Sequence, residues 1–74
     1  MQEFEGVVQF LDLAGGIWVL QAEEVCYALF RAPAAMLKED LAVIVTGRIV
    51  EGMMSAAQVG PVLEVLTFVS QAVN

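Results

Sequence analysis

The chain has 74 residues, enough for one small domain and no second core. Hydrophobic residues make up 59% of it and charged residues 16%; ordinary soluble domains hold about 45–50% and about 25%, so apolar surface is expected to remain outside the core and to be covered by self-association. Cys26 is the only cysteine and histidine is absent, which excludes an intrachain disulfide, Ser-His and Cys-His nucleophiles and a Cys/His zinc site, while a net charge of −6, nine acids against Arg31, Lys38 and Arg48, disfavours nucleic acid and anionic membranes.

The first β-like run is Phe4–Leu13. Its two alternating sets, Glu5-Val7-Gln9-Leu11-Leu13 and Phe4-Gly6-Val8-Phe10-Asp12, both carry apolar residues, so this strand is expected to change partner along its length. Gly6 suggests a bulge or bend, as glycine inside a strand often marks one. Ala14-Gly15-Gly16 reads as a hairpin turn, because glycine supplies the positive φ that tight hairpins need. The second run, Ile17–Ala22, contains Trp18 and ends at the polar pair Glu23-Glu24. The third is Val25–Phe30.

Pro33–Asp40 is the best helical segment, with proline at its start and Ala, Met, Leu, Lys and Glu following. At about two turns it needs tertiary packing to persist. The fourth run, Leu41–Val50, is rich in β-branched residues and holds Gly47, a second place to bend. Glu51–Pro61 is a loop that is unusually apolar, with Met53, Met54, Ala56, Ala57 and Val59. It reads either as a cap on the barrel or as a contact surface. Val62–Ser70 is the fifth run. Its spacing also fits a helix starting at Pro61, and its β-branched content favours a strand.

The order is β1-β2-β3-α-β4-β5. That points to a small all-β fold, a five-stranded antiparallel barrel of the OB (oligonucleotide/oligosaccharide-binding) type with one short helix between strands 3 and 4. Residues 1–74 are expected to form that single domain. An SH3-like or other small open barrel is the alternative.

The stretch Gly6-Val-Val-Gln-Phe-Leu-Asp-Leu-Ala-Gly-Gly-Ile-Trp18 resembles the opening hairpin of small bacterial and archaeal OB-like domains, G-x-V-x-x-x-D-L-x-G-G-x-W/Y. Tyr27, the Pro33–Leu37 turn, Val45-Thr46-Gly47 and Gly60 before Val-Leu-Glu-Val fall in register with that pattern. Two departures stand out: Glu23-Glu24 replaces a frequent Asp-Gly, and Val59 replaces a frequent aromatic. The resemblance implies a fold and no particular activity.

No catalytic set is expected. Glu23-Glu24 and Glu39-Asp40 read as solvated charges at a turn and a helix end. Asp12 and Glu64 sit in apolar runs, where burial would make a carboxyl a proton donor. The simpler reading has Asp12 accepting backbone N–H bonds near the Gly15-Gly16 turn, and Glu64 facing solvent or paired with Arg48. Cys26 reads as a small buried hydrophobe. Trp18, Tyr27 and Phe30 fall on strands 2 and 3, the ligand face of OB domains, although Trp18 and Phe30 also suit the core.

The expected function is therefore a non-catalytic interaction module. It is expected to lack cofactors and metals, to form homo-oligomers through a strand edge or the Met53–Val59 loop, and to bind another protein. The candidate contact residues are Trp18, Tyr27, Arg31, Arg48, Met53 and Met54. Two alternatives stand beside it: a single-stranded nucleic-acid or small-ligand binder using Trp18, Tyr27 and Arg31, and an acidic inhibitor or immunity-type protein. No run reaches the ~18 apolar residues of a spanning helix. The acidic opening Met1–Glu5 lacks the basic start of a secretory signal, so a cytoplasmic location is expected.

Overall fold

The computed structural model describes residues 2–53 and 59–71. Five strands form: β1 (Gln2–Leu11), β2 (Ile17–Gln21), β3 (Cys26–Phe30), β4 (Ala42–Ile49) and β5 (Val62–Ser70). They close into a barrel in the order β1-β2-β3-β5-β4, with β4 returning to β1. The final run is thus a strand and not a helix.

β1 changes partner along its length, as its two apolar sets suggest. Gln2–Val7 pairs with β4, and Val7–Leu11 pairs with β2, both antiparallel. The β1–β2 hairpin turns through Ala14, Gly15 and Gly16, all at positive φ (50°, 85° and 104°), and the Gly16 N–H donates to the Leu13 carbonyl at 2.8 Å. Two consecutive glycines at that turn remove the steric cost a side chain would meet there.

The expectation of a wholly antiparallel sheet is corrected. β3 and β5 pair in parallel, through Ala28↔Val62, Leu29↔Leu63 and Phe30↔Glu64, while the other four pairings are antiparallel. The reason is parity. Direction cannot alternate at every step around a ring of five strands, so one neighbouring pair must run the same way.

The expected helix over 33–40 is also corrected. Only a single 3₁₀ turn forms, Ala34–Met36. Pro33 is extended (φ −64°, ψ 147°), and Asp40 stands at φ +67°. So short a segment makes too few hydrogen bonds to nucleate an α-helix. The turn instead delivers Met36 into the core, where it is fully buried. Around it pack Val8, Leu20, Val43, Val45, Leu63 and Val65, one from β1, one from β2 and two each from β4 and β5.

The β4–β5 register shifts between Thr46 and Gly47, where β5 carries one extra residue, Leu66. A Cβ at Gly47 would collide with the Glu64 backbone carbonyl, so only glycine lets β4 and β5 approach at this point. Gly6, by contrast, pairs in register with Val43 and makes no bulge. Among the described residues, no helix is long and apolar enough to cross a membrane.

Met36 plugs the core from outside the strands, so its loss leaves a cavity that the ladder cannot collapse to fill. Met36→Ala is expected to cost about 2–5 kcal/mol in urea unfolding. Met53→Ala, at an exposed position, is expected to stay within about 0.5 kcal/mol of the parent.

Candidate functional site

The site is set by strand alternation. Leu29, Leu63 and Ile49 lie side by side on β3, β5 and β4 and pack into or against the core. Their chain neighbours Phe30, Glu64 and Arg48 form the adjacent row and point to the outer face. Arg31 follows directly at the end of β3. It adopts a left-handed backbone (φ +58°), and its guanidinium lies 5.1 Å from the centre of the Phe30 ring. That contact is a cation–π arrangement.

β5 runs between β3 and β4, so the two arginines reach Glu64 from opposite sides. Arg48 Nε donates to Glu64 Oε1 at 2.7 Å, and Arg31 Nη1 stands 3.7 Å from Oε2. The Glu64 side chain is only 10% exposed, against 72% for Arg31 and 67% for Arg48. The short bond is charge-assisted and holds Arg48 in place; the longer contact is an ion pair without a hydrogen bond. Glu64 therefore does not face solvent, and its pairing with Arg48 is present.

The sequence-selected residues fall into separate places. Arg31 and Arg48 come together at Glu64. Trp18 is half-buried, packs against the core and pairs with Phe10, ring centres 5.1 Å apart. The Phe10 ring in turn covers Gly16. Tyr27 packs edge-on to Phe4 (5.1 Å, 71°) and lines a different feature, an open groove of about 700 Å³ that it shares with Glu5, Glu23, Glu24 and Val25. Phe30 is the one candidate aromatic of strands 2 and 3 on the arginine face, and it is not part of the central core. Met53 is exposed; Met54 lies outside the described residues.

The other acids are placed differently from Glu64, and among the described residues no backbone N–H donates to Asp12. Asp12 is exposed just beyond β1, and Asp40 accepts a bond from Gln9 Nε2 at 3.0 Å. Cys26 is half-buried at the start of β3, and desolvation pushes its thiol pKa up. A raised pKa keeps the thiol protonated and weakly nucleophilic at neutral pH. Among the described residues, no group of three or more Cys, Asp or Glu side chains could hold a metal ion.

Two features escape sequence reading. Met36 as the core plug is hidden inside an apparent helix. Arg31 as a second partner of Glu64 depends on the parallel β3–β5 register, which no local pattern encodes. No family model, curated protein or solved structure matches the chain.

Three outcomes follow from these arrangements. Arg48→Ala leaves a buried carboxylate without its short bond and is expected to cost about 1–3 kcal/mol in urea unfolding, whereas Arg31→Ala, removing an exposed and longer pair, is expected to cost under about 1 kcal/mol. Replacing Arg48 and Glu64 together by leucines should recover most of the Arg48→Ala loss, since no charge is left stranded. Iodoacetamide labelling of Cys26 at pH 8 should be at least about tenfold slower in the native protein than in urea, read by mass spectrometry.

Proposed function

We propose that the chain is an OB-type barrel that serves as a non-catalytic interaction module in the cytoplasm, associating with copies of itself and with another protein. The OB assignment is supported by the spatial order β4-β1-β2-β3, the Greek-key arrangement, with β5 closing the ring.

The observation that carries the interaction reading is the exposed apolar side of β5. Val69 is 66% exposed and Leu66 45%. Val69 lies beside Ile44 of β4, whose neighbours Val43 and Val45 fill the core, so Ile44 and Val69 share the outer face. Exposed apolar residues grouped on one sheet face, in a chain with so few charges, favour a protein contact. The small size of the domain adds a motive, because association supplies buried area that one copy lacks.

The nucleic-acid alternative has less behind it. Trp18 and Tyr27 pack on Phe10 and Phe4, and the groove beside Tyr27 carries three glutamates, which would repel phosphates.

Light scattering over a concentration series tests the reading. The parent chain is expected to give a dimer or larger assembly whose mass changes little between low and high salt. Val69→Asp is expected to give the monomer mass with unchanged β-type circular dichroism. A parent chain that stays monomeric at every concentration would sink the self-association.

A further inference from the structure

The Arg31–Glu64–Arg48 cluster is larger than the neutralisation of Glu64 requires. One arginine at 2.7 Å already supplies the short bond to the buried carboxylate. The second stands at 3.7 Å, makes no hydrogen bond to it and is reached through a left-handed backbone at Arg31. Left-handed φ at a non-glycine residue costs energy and persists where the surroundings impose it. Here that conformation aligns Arg31 with Phe30 and with the second carboxylate oxygen. Both of the chain's arginines thus lie against Glu64 on one face, Arg48 through a hydrogen bond and Arg31 through a longer ion pair and the Phe30 ring.

We propose that this cluster is a recognition site for a ligand carboxylate. Arg48 spends Nε on Glu64, which leaves its two terminal nitrogens as a forked donor edge directed away from that bond. Arg48 is mostly exposed, and so is Arg31, so a ligand has access to both. A guanidinium fork matches the two oxygens of a carboxylate. The charge count favours a small monoanion. Two guanidinium groups against one carboxylate leave a net +1, in a chain whose total is −6. A single carboxylate brings the site to neutrality. A phosphomonoester, at about −1.5 to −2, would overshoot it beside Glu64, and a polyanion such as a phosphodiester chain would meet the repulsion of the whole chain. The carboxylate belongs either to a small acid or to an acidic side chain of a partner protein. The site does not depend on self-association, and a monomer would present it equally.

The test reads the arginine side chains directly. With two arginines, the Nε–Hε region of a ¹⁵N spectrum of the full chain holds two signals to follow. Sodium acetate, sodium chloride, inorganic phosphate, an oligothymidylate and a capped Ala-Glu-Ala peptide are titrated at matched ionic strength. Both signals are expected to move saturably with acetate and with the peptide, and to stay still with chloride. Equal affinity for acetate and peptide assigns the site to small acids; roughly tenfold tighter peptide binding assigns it to a partner's side chain. Arg48→Lys keeps the charge and loses the fork, and is expected to weaken acetate binding roughly fivefold. Glu64→Gln raises the positive charge, so a purely electrostatic site would bind more tightly; a positioned site is expected to bind several-fold more weakly. Linear shifts shared by acetate and chloride, tighter binding of phosphate or oligothymidylate than of acetate, or stronger acetate binding in Glu64→Gln would each overturn the proposal.

Discussion

A ring of five strands cannot alternate direction all the way round, and much of this molecule follows from where the one parallel contact falls. Four of the five pairings are antiparallel, and the mismatch is placed between β3 and β5. Parallel neighbours cannot be joined by a hairpin; they need a long crossover. The crossover here carries the 3₁₀ turn, all of β4 and the segment before β5. It therefore supplies both the plug of the core, Met36, and the strand that closes the ring against β1. The same contact sets Phe30 opposite Glu64 and so brings Arg31 within reach of an acid more than thirty residues away.

The division between what local sequence reveals and what it hides follows from this. Alternation and turn chemistry are local, so the five strands, the Gly15-Gly16 hairpin and the double partnership of β1 are all legible. Sheet closure is not local. Nothing in Cys26–Phe30 or Val62–Ser70 states that the two strands run together, and an all-antiparallel sheet is the natural reading of either alone. The short helix fails for a related reason. Ala, Met, Leu and Lys favour helix, but the preference summed over so few residues is worth less than placing Met36 at the centre of the barrel. In the site, Arg48 beside Glu64 could be guessed from residue type, whereas Arg31 could not, because its approach depends on the parallel register.

Charge is also laid out unevenly, and the fold does the sorting. Both arginines gather on the outer face of β3–β5–β4, while Glu5, Glu23 and Glu24 ring the groove beside Tyr27. Glu64 belongs to the first group although it carries the opposite sign. At about 4 Å, an ion pair is worth about 1 kcal/mol in bulk water and about 4 kcal/mol at the effective dielectric of a protein surface. Excluding water from Glu64 strengthens the pair with Arg48 and raises the cost of breaking it. The exposed Arg31 contact gains far less from the same attraction. Arg48 is therefore the anchor of the cluster, and Arg31 is the arm held over Phe30.

Closure also decides how such a barrel can meet another protein. An open sheet exposes a row of unpaired backbone groups that recruits a further strand. In a closed ring every strand has two neighbours, so backbone pairing at an edge gives way to contact between faces. Faces are specified by side chains, and two of them differ sharply in chemistry. The outer side of β4–β5 presents Ile44, Leu66 and Val69, whose apolar surface responds weakly to salt. The row through Phe30, Glu64 and Arg48 presents oriented charge, which is screened by salt where it is exposed. β5 contributes to both, with Glu64 near one end and Val69 near the other. A contact made at the apolar end would leave the arginines open, so one strand can carry an association surface and a polar recognition site without either excluding the other.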